Sequence, residues 1–135
     1  MSDDCLFCKI ADKKIPSHKV YEDDEYYAFL NIKPYAKGHT LVIPKRHHRN
    51  ILDFKDNLGT YMERVRSVAQ RIQKALDMPD FTLINRCGKS AGQEMQHVHF
   101  HIIPSSPENP KVFSVDTIED DLARTAQLLR DAKEK

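Results

Sequence analysis

Residues 96–104 read QHVHFHIIP, and polar and apolar side chains alternate from residue 97 to residue 102. This alternation predicts a β-strand, because successive side chains on a strand point to opposite faces of the sheet. The apolar residues would enter the core. His97, His99 and His101 would share the other face, with neighbouring rings about 6.6 Å apart along the strand. Three imidazoles aligned in this way indicate a site that acts on one small ligand.

Two kinds of chemistry fit aligned histidines. A His-x-His pair on a strand can hold Zn²⁺ with an open water position for hydrolysis. Alternatively, one neutral imidazole is itself a nucleophile toward phosphorus, while a hydrogen bond to its other nitrogen fixes the ring. The loop Gly88–Gln93 (GKSAGQ) precedes the strand, and its glycines let backbone N–H groups approach an anion. A phosphate site beside imidazoles favours the nucleophilic chemistry.

The rest of the chain predicts an α+β domain with an antiparallel sheet, a long central helix and a C-terminal helix. Apolar residues at steps of three and four between Asp56 and Met78 predict the central helix. A second helical pattern begins after Ser114 and runs from about residue 116 to about residue 133, with Asp116 or Thr117 as its cap. Short apolar runs predict the other strands: a hairpin over Lys19–Phe29, then His39–Ile43 and Phe81–Ile84.

Length and composition bound the class of protein. A chain of 135 residues predicts a single domain over 1–135. The formal net charge is +1 with no basic block, which argues against nucleic-acid binding. No apolar run approaches the roughly 20 residues that cross a bilayer, and the opening residues lack a signal peptide's pattern, so we expect a cytoplasmic protein without membrane partners. Three cysteines are better interpreted as thiols or metal ligands than as a disulfide framework.

Several motifs lie between Cys5 and Pro104: GHTLVIPK at 38–45, AGQ at 91–93, HVHFHIIP at 97–104, LFCKI at 6–10 and VYED at 20–23. In these motifs the sequence resembles the histidine triad (HIT) family. The resemblance implies a HIT-like fold and a nucleotide hydrolase that attacks the α-phosphorus of nucleoside phosphoramidates or dinucleoside polyphosphates through a nucleotidyl-histidine intermediate. It also implies a purine nucleotide substrate and a homodimer. A nucleotide-binding module with slow turnover is the alternative, because the same residues bind and react.

The resemblance also implies roles for the histidines. His99 would be the nucleophile, which suits an imidazole that is largely neutral at pH 7. His101 and His39 would hydrogen-bond phosphate oxygens and stabilise the charge that develops at phosphorus. His97 opens the triad and is counted with them among the predicted catalytic residues.

The predicted substrate-binding residues are Asn31, Asn85, Ser90, Gly92 and Gln93. By resemblance, Asn31 occupies a ribose-binding position and Gln93 belongs to the phosphate loop, although a turn ahead of Pro34 explains Asn31 nearly as well. The register of the preceding strand leaves Arg86 as the alternative to Asn85. Glu94 stands where several family members have Ser or Thr, so a carboxylate would face an anionic substrate or act on a leaving amine.

Cys5 and Cys8 form a Cys-x-x-Cys pair near the start of the chain. With His47 and His97 they could form a tetrahedral site for structural zinc, because four protein ligands leave no open position for catalysis. Some bacterial HIT proteins resemble this arrangement. The alternative is that both cysteines pack as small hydrophobic residues, while His47 and His48 belong to a solvated basic patch.

Overall fold

Five antiparallel strands form one sheet in the computed structural model, which describes residues 4–132. The order of the strands across the sheet is β1-β2-β3-β5-β4. Their bounds are Lys19–Glu22 (β1), Tyr26–Leu30 (β2), Thr40–Pro44 (β3), Asp80–Asn85 (β4) and Phe100–Ser105 (β5). The helices are Leu6–Ala11 (α1), Leu58–Leu76 (α2) and Leu122–Asp131 (α3). The predicted α+β fold, with its antiparallel sheet, long central helix and C-terminal helix, is confirmed.

Helix α2 covers one face of the sheet with an apolar stripe at the spacing seen in the sequence. The buried residues of this stripe are Tyr61, Val65, Val68, Ala69 and Ile72. Asn57 caps the helix by accepting a hydrogen bond from the backbone N–H of Thr60 at 3.1 Å. The hydroxyl of Tyr61 is satisfied inside the core because it donates to the Val42 carbonyl at 2.7 Å.

Helix α1 packs on the opposite face, which the sequence did not predict. Phe7, Cys8 and Ile10 join alternate residues of β2 and β3 in a second apolar cluster. A helix of six residues is not stable alone, so its tertiary contacts hold it in place. Its position matters because it closes one side of the functional site.

The alternation of residues 97–102 is confirmed. Val98, Phe100 and Ile102 lie in the apolar cluster under α2, whereas the histidines point to the face covered by α1. The regular ladder begins only at Phe100. His97 therefore precedes the strand, and the predicted strand was too long at this end.

The C-terminal helix begins later than predicted. Asp121 is the cap and accepts a hydrogen bond from the Arg124 N–H at 3.3 Å, so the prediction of Asp116 or Thr117 was wrong. Residues 112–121 are irregular, and α3 has no buried residue. The position at which α3 begins is therefore set by its capping residue and not by packing against the core. The predicted end near residue 133 lies outside the described residues. No helix within residues 4–132 is both long and apolar enough to cross a membrane.

Candidate active site and metal centre

A cavity of about 590 Å³ opens on the face of the sheet that carries α1. Its wall combines one apolar side from α1 and β2 with one polar side from β5 and the loop before it. The lining includes Leu6, Phe7, Ile10, Asn31, Lys33, Tyr35, Arg86, Gly92, Glu94, His99 and His101. The size and mixed lining suit a small organic molecule with an anionic part.

His99 is held with one ring nitrogen available to the cavity. Its Nδ1 lies 2.8 Å from the His97 carbonyl oxygen, and because a carbonyl only accepts, Nδ1 carries the hydrogen. The lone pair therefore sits on Nε2. Burial lowers the pKa of His99, and the edge of Phe7 packs against the ring at 5.2 Å. His99 is thus a neutral, oriented imidazole.

Hydrogen bonds also fix the tautomers of His39 and His101. The backbone N–H of Tyr35 donates to His39 Nδ1 at 3.1 Å, so His39 carries its hydrogen on Nε2. That N–H donates to His101 Nδ1 at 3.0 Å. His101 then carries its own hydrogen on Nε2, which makes this ring a hydrogen-bond donor. Burial lowers the pKa of His39 to about 4 and that of His101 to about 3, which keeps both rings neutral.

Gln93 braces the loop between β4 and β5 from inside. Its side-chain oxygen accepts from the Gly88 N–H at 2.8 Å, and its amide nitrogen donates to the carbonyls of Arg49 and Met95 at 2.7 and 3.0 Å. Gln93 is buried and does not line the cavity. Gly92 does line it, with a φ of +93° that favours glycine.

The other predicted substrate-binding residues divide in the same way. Asn31 lines the cavity, and its side-chain oxygen accepts from the Lys33 N–H in a turn at 2.9 Å. The turn is therefore present, whereas contact with a ribose stays a prediction. Asn85 instead donates to the His99 carbonyl at 3.0 Å, and Arg86 is the residue that lines the cavity. Ser90 is exposed on a short 3₁₀ turn and is absent from the lining.

The ligand atoms of Cys5, Cys8, His47 and His97 all lie within 4.8 Å of one another. This is the one cluster of three or more potential metal-ligating side chains found among residues 4–132. His97 Nδ1 is 3.2 Å from Cys5 Sγ and 3.5 Å from Cys8 Sγ, and His47 Nδ1 is 3.4 Å from Cys8 Sγ. Nitrogen and sulfur ligands of a tetrahedral zinc lie about 3.5 Å apart, given metal bonds of about 2.0–2.3 Å. The donor set therefore fits such an ion.

His97 is prepared for this role rather than for the cavity. Its Nε2 donates to the Pro44 carbonyl at 2.8 Å, which leaves the lone pair on Nδ1 facing the two sulfurs. Burial lowers its pKa to about 4, so the ring is neutral. The His97 side chain does not line the cavity. His97 reaches the candidate active site through its backbone carbonyl, which accepts from His99.

Comparison with known proteins identifies the family. The HIT domain profile matches residues 12–108. The chain belongs to the HIT family. An uncharacterized HIT-like protein of Borreliella burgdorferi is 46% identical over 107 residues, which cover 75% of each chain. The crystal structure of SMU.412c from Streptococcus mutans UA159 is 39% identical, with a TM-score of 0.87 over 97% of this chain and 84% of that one.

One relative of this HIT protein carries an activity in its name. Adenosine 5′-monophosphoramidase HNT1 of Saccharomyces cerevisiae is 41% identical over 104 residues, which cover 77% of this chain and 64% of the yeast protein.

Residues that the sequence analysis missed form the apolar wall of the HIT cavity. Leu6, Phe7 and Ile10 of α1 line it together with Tyr35. A six-residue helix gives too short a periodic pattern to detect. The Cys-x-x-Cys spacing was the available signal, because Cys5 caps α1 and accepts from the Cys8 N–H at 3.3 Å.

Proposed function

We propose that this protein hydrolyses purine nucleotides at the α-phosphorus through a covalent intermediate on Nε2 of His99. The observation that carries the proposal is the pair of fixed tautomers in the cavity wall. His99 offers a lone pair, whereas His101 offers an N–H. A nucleophile and a hydrogen-bond donor side by side, with ring centroids 4.9 Å apart, suit attack on phosphorus and stabilisation of its oxygens.

The reaction would take two displacements. In the first, the His99 Nε2 lone pair bonds to phosphorus and the bond to the leaving group breaks; an amine leaves with that electron pair and takes up a proton. In the second, water attacks phosphorus, the bond to Nε2 breaks, and the nucleoside monophosphate leaves while His99 regains its neutral form. The His97 carbonyl supports the positive charge that His99 carries between the two steps, because Nδ1–H donates to it at 2.8 Å.

The substrate would be a nucleoside phosphoramidate or a dinucleoside polyphosphate. In this proposal Asn31 contacts the ribose and Gly92 approaches the phosphate. Asn85, Ser90 and Gln93 do not contact the substrate and instead belong to the strand and loop that support the cavity wall. The rival zinc-dependent mechanism needs His99 and His101 as metal ligands. His99 keeps a lone pair on Nε2, but His101 accepts at Nδ1 from His39 and carries its hydrogen on Nε2, so it offers no lone pair to a metal. Neither residue belongs to the Cys₂His₂ cluster. This geometry favours the nucleophilic mechanism.

The decisive experiment traps the intermediate. The protein is mixed with adenosine 5′-phosphoramidate or a diadenosine polyphosphate, denatured within milliseconds at alkaline pH, and examined by mass spectrometry of its peptides. We expect a nucleotidyl group on His99, and loss of both adduct and turnover in His99→Ala. His18→Ala, which replaces an exposed histidine, is the matched control. Tight nucleoside monophosphate binding with neither adduct nor turnover would replace the enzyme by a binding module.

We also propose that Cys5, Cys8, His47 and His97 hold a structural zinc ion. Bound zinc would cross-link the start of α1 to the segments that follow β3 and precede β5, and the four protein donors would leave no open position. Elemental analysis of the purified protein should give one zinc per chain, and Cys5→Ser combined with Cys8→Ser should remove it. Equal zinc in that double variant would reject the site.

The protein is proposed to be a cytoplasmic homodimer with no nucleic-acid or membrane partner. The feature that supports a dimer is the outermost strand β4, where Phe81 and Leu83 are exposed on an unpaired edge of the described sheet. Light scattering should give twice the 15.7 kDa chain mass. A mass of one chain at micromolar concentration would reject it.

A further inference from the structure

We propose that Glu94 makes this site select leaving groups that carry a positive charge, which rests on the nucleotide hydrolase function proposed above. The chemical class is a nucleoside phosphoramidate whose leaving amine bears a second, protonated amino group. The observation behind the proposal is a carboxylate in the lining of the cavity that His99 also lines. In an in-line displacement the leaving group departs on the side of phosphorus opposite His99 Nε2, and Glu94 borders the cavity in which it would lie.

The charged residues of the cavity wall divide into two sets. Lys33 and Arg86 are cationic, and among residues 4–132 Glu94 is the one anionic residue in the lining. The Arg86 side chain lies over Gly92, where a Cβ atom would stand 3.0 Å from Arg86 Cδ. Arg86 therefore borders the loop that would approach the phosphate, so a cation is already present for the phosphoryl oxygens.

Glu94 is not neutralised by the protein. Within residues 4–132, none of the ion pairs at 4.0 Å or less involves Glu94. Its neighbour Gln93 is buried and holds the backbone of the loop through three hydrogen bonds. This fixed backbone presents Glu94 to the cavity. A cationic leaving group would supply the opposite charge, whereas a polyphosphate would bring like charge toward the carboxylate.

The size of the effect follows from Coulomb's law. Two unit charges about 6 Å apart in a partly solvated cavity change a rate by about three- to tenfold. The sign depends on the charge of the leaving group, so one substitution should lower one rate and raise another. A purely structural role of Glu94 would lower all rates together.

The two steps of the reaction distinguish a charge-dependent role of Glu94 from a purely structural role. The leaving group is present only while the bond from phosphorus to nitrogen breaks and the bond to His99 Nε2 forms. Substrates that share the same nucleoside all give the same nucleotidyl-His99 intermediate, so the rate of its hydrolysis does not depend on the leaving group. Glu94 should therefore affect the formation of the intermediate in a charge-dependent way and leave its hydrolysis without such dependence.

The test uses three adenosine 5′-phosphoramidates, made from ethylenediamine (cationic), 2-methoxyethylamine (neutral) and glycine (anionic). Rapid-quench measurements at substrate concentrations far below saturation give the second-order rate constant of intermediate formation for wild type and Glu94→Gln, which includes the interaction of Glu94 with the bound leaving group. The ratio of the two proteins is compared within each substrate, because this cancels the different reactivities of the amines. We expect Glu94→Gln to reduce the cationic rate about three- to tenfold, leave the neutral rate unchanged, and raise the anionic rate by a similar factor.

Two further variants make the outcome decisive. Glu108→Gln removes the same charge from an exposed position outside the cavity and should leave all three ratios at one. Glu94→Asp keeps the negative charge. It should therefore rank the cationic, neutral and anionic substrates in the same order as the wild type, even if all three rates fall. Equal Glu94→Gln ratios for the three substrates would overturn the inference while the intermediate is still observed. Absence of the intermediate with every substrate would instead reject the proposed function.

Discussion

The buried pair His39 and His101 should make the stability of this protein depend steeply on pH between 7 and 5. The two rings share a hydrogen bond at 3.0 Å and are 1% and 8% exposed. Burial lowers their pKa values to about 4 and about 3, whereas a histidine in an unfolded chain titrates near 6.5. Between these values the unfolded state binds more protons, so the free energy of unfolding falls as pH falls.

The magnitude can be worked from those values. Each buried ring loses about 1.4 kcal/mol of stabilisation per pH unit once the unfolded histidine is mostly protonated. Integrated from pH 7 to pH 5, this gives about 1.8 kcal/mol per ring, or about 4 kcal/mol for the pair. A domain of this size has about 5–15 kcal/mol in total. Protonation of these two histidines in the unfolded state should therefore remove a large part of the stability by pH 5, where most carboxylates are still ionised.

Urea unfolding followed by circular dichroism at pH 7, 6 and 5 measures this dependence. The informative comparison is with the double variant His39→Gln, His101→Gln. The slope of the free energy of unfolding against pH depends only on the difference in bound protons between the unfolded and folded states, so it can be compared between proteins of different stability. The wild type should lose about 4 kcal/mol more than the variant over this range. His18→Gln, at an exposed position, should keep the wild-type slope.

Equal slopes in the wild type and the double variant would refute the reasoning. Such a result would mean that the pair takes up protons in the folded state near pH 6. The hydrogen-bond relay from Tyr35 through His39 to His101 would then not hold both rings in their neutral form near pH 6.

Three other substitutions test the fold around the site. Gly38→Ala should lower the free energy of unfolding by about 1–3 kcal/mol in urea titrations, because φ is +87° and the new Cβ would lie 2.5 Å from Leu76 Cδ1. Tyr61→Phe should cost about 1–3 kcal/mol in the same assay, since the Val42 carbonyl loses its buried donor. Asp121→Ala should reduce amide protection of α3 in hydrogen exchange but leave the unfolding midpoint unchanged, because α3 has no buried residue.

Periodicity predicted the parts of the fold that bury an apolar face. The stripe of α2 and the alternation around Phe100 each follow directly from which residues enter the core. The starts of elements were less predictable. Asp116, Thr117 and Asp121 are all suitable caps in the sequence, and α3 makes no core contact that would select among them. Helix α1 was missed because its six residues make fewer than two turns, which is too short for a periodic pattern to be detected.

The residues of the candidate site that belong to a sequence motif could be predicted. The contacts that depend on the folded positions of neighbouring segments could not. His99 and His101 line the cavity, and the Cys₂His₂ cluster assembles as predicted. The sequence did not reveal that Arg86 rather than Asn85 reaches the cavity, because the register of β4 depends on its pairing with β5. It also did not reveal that Gln93 holds the loop from behind.

One residue belongs to both sites, and this affects how an inhibition assay should be read. The ring of His97 stands among the sulfurs, while its carbonyl holds the ring that would attack phosphorus. If a chelator abolishes turnover, the ordinary conclusion would be that an ion takes part in the chemistry. Here the same loss would arise from a nucleophile that has lost its orientation, so chelation alone is a poor guide to how the bond is broken.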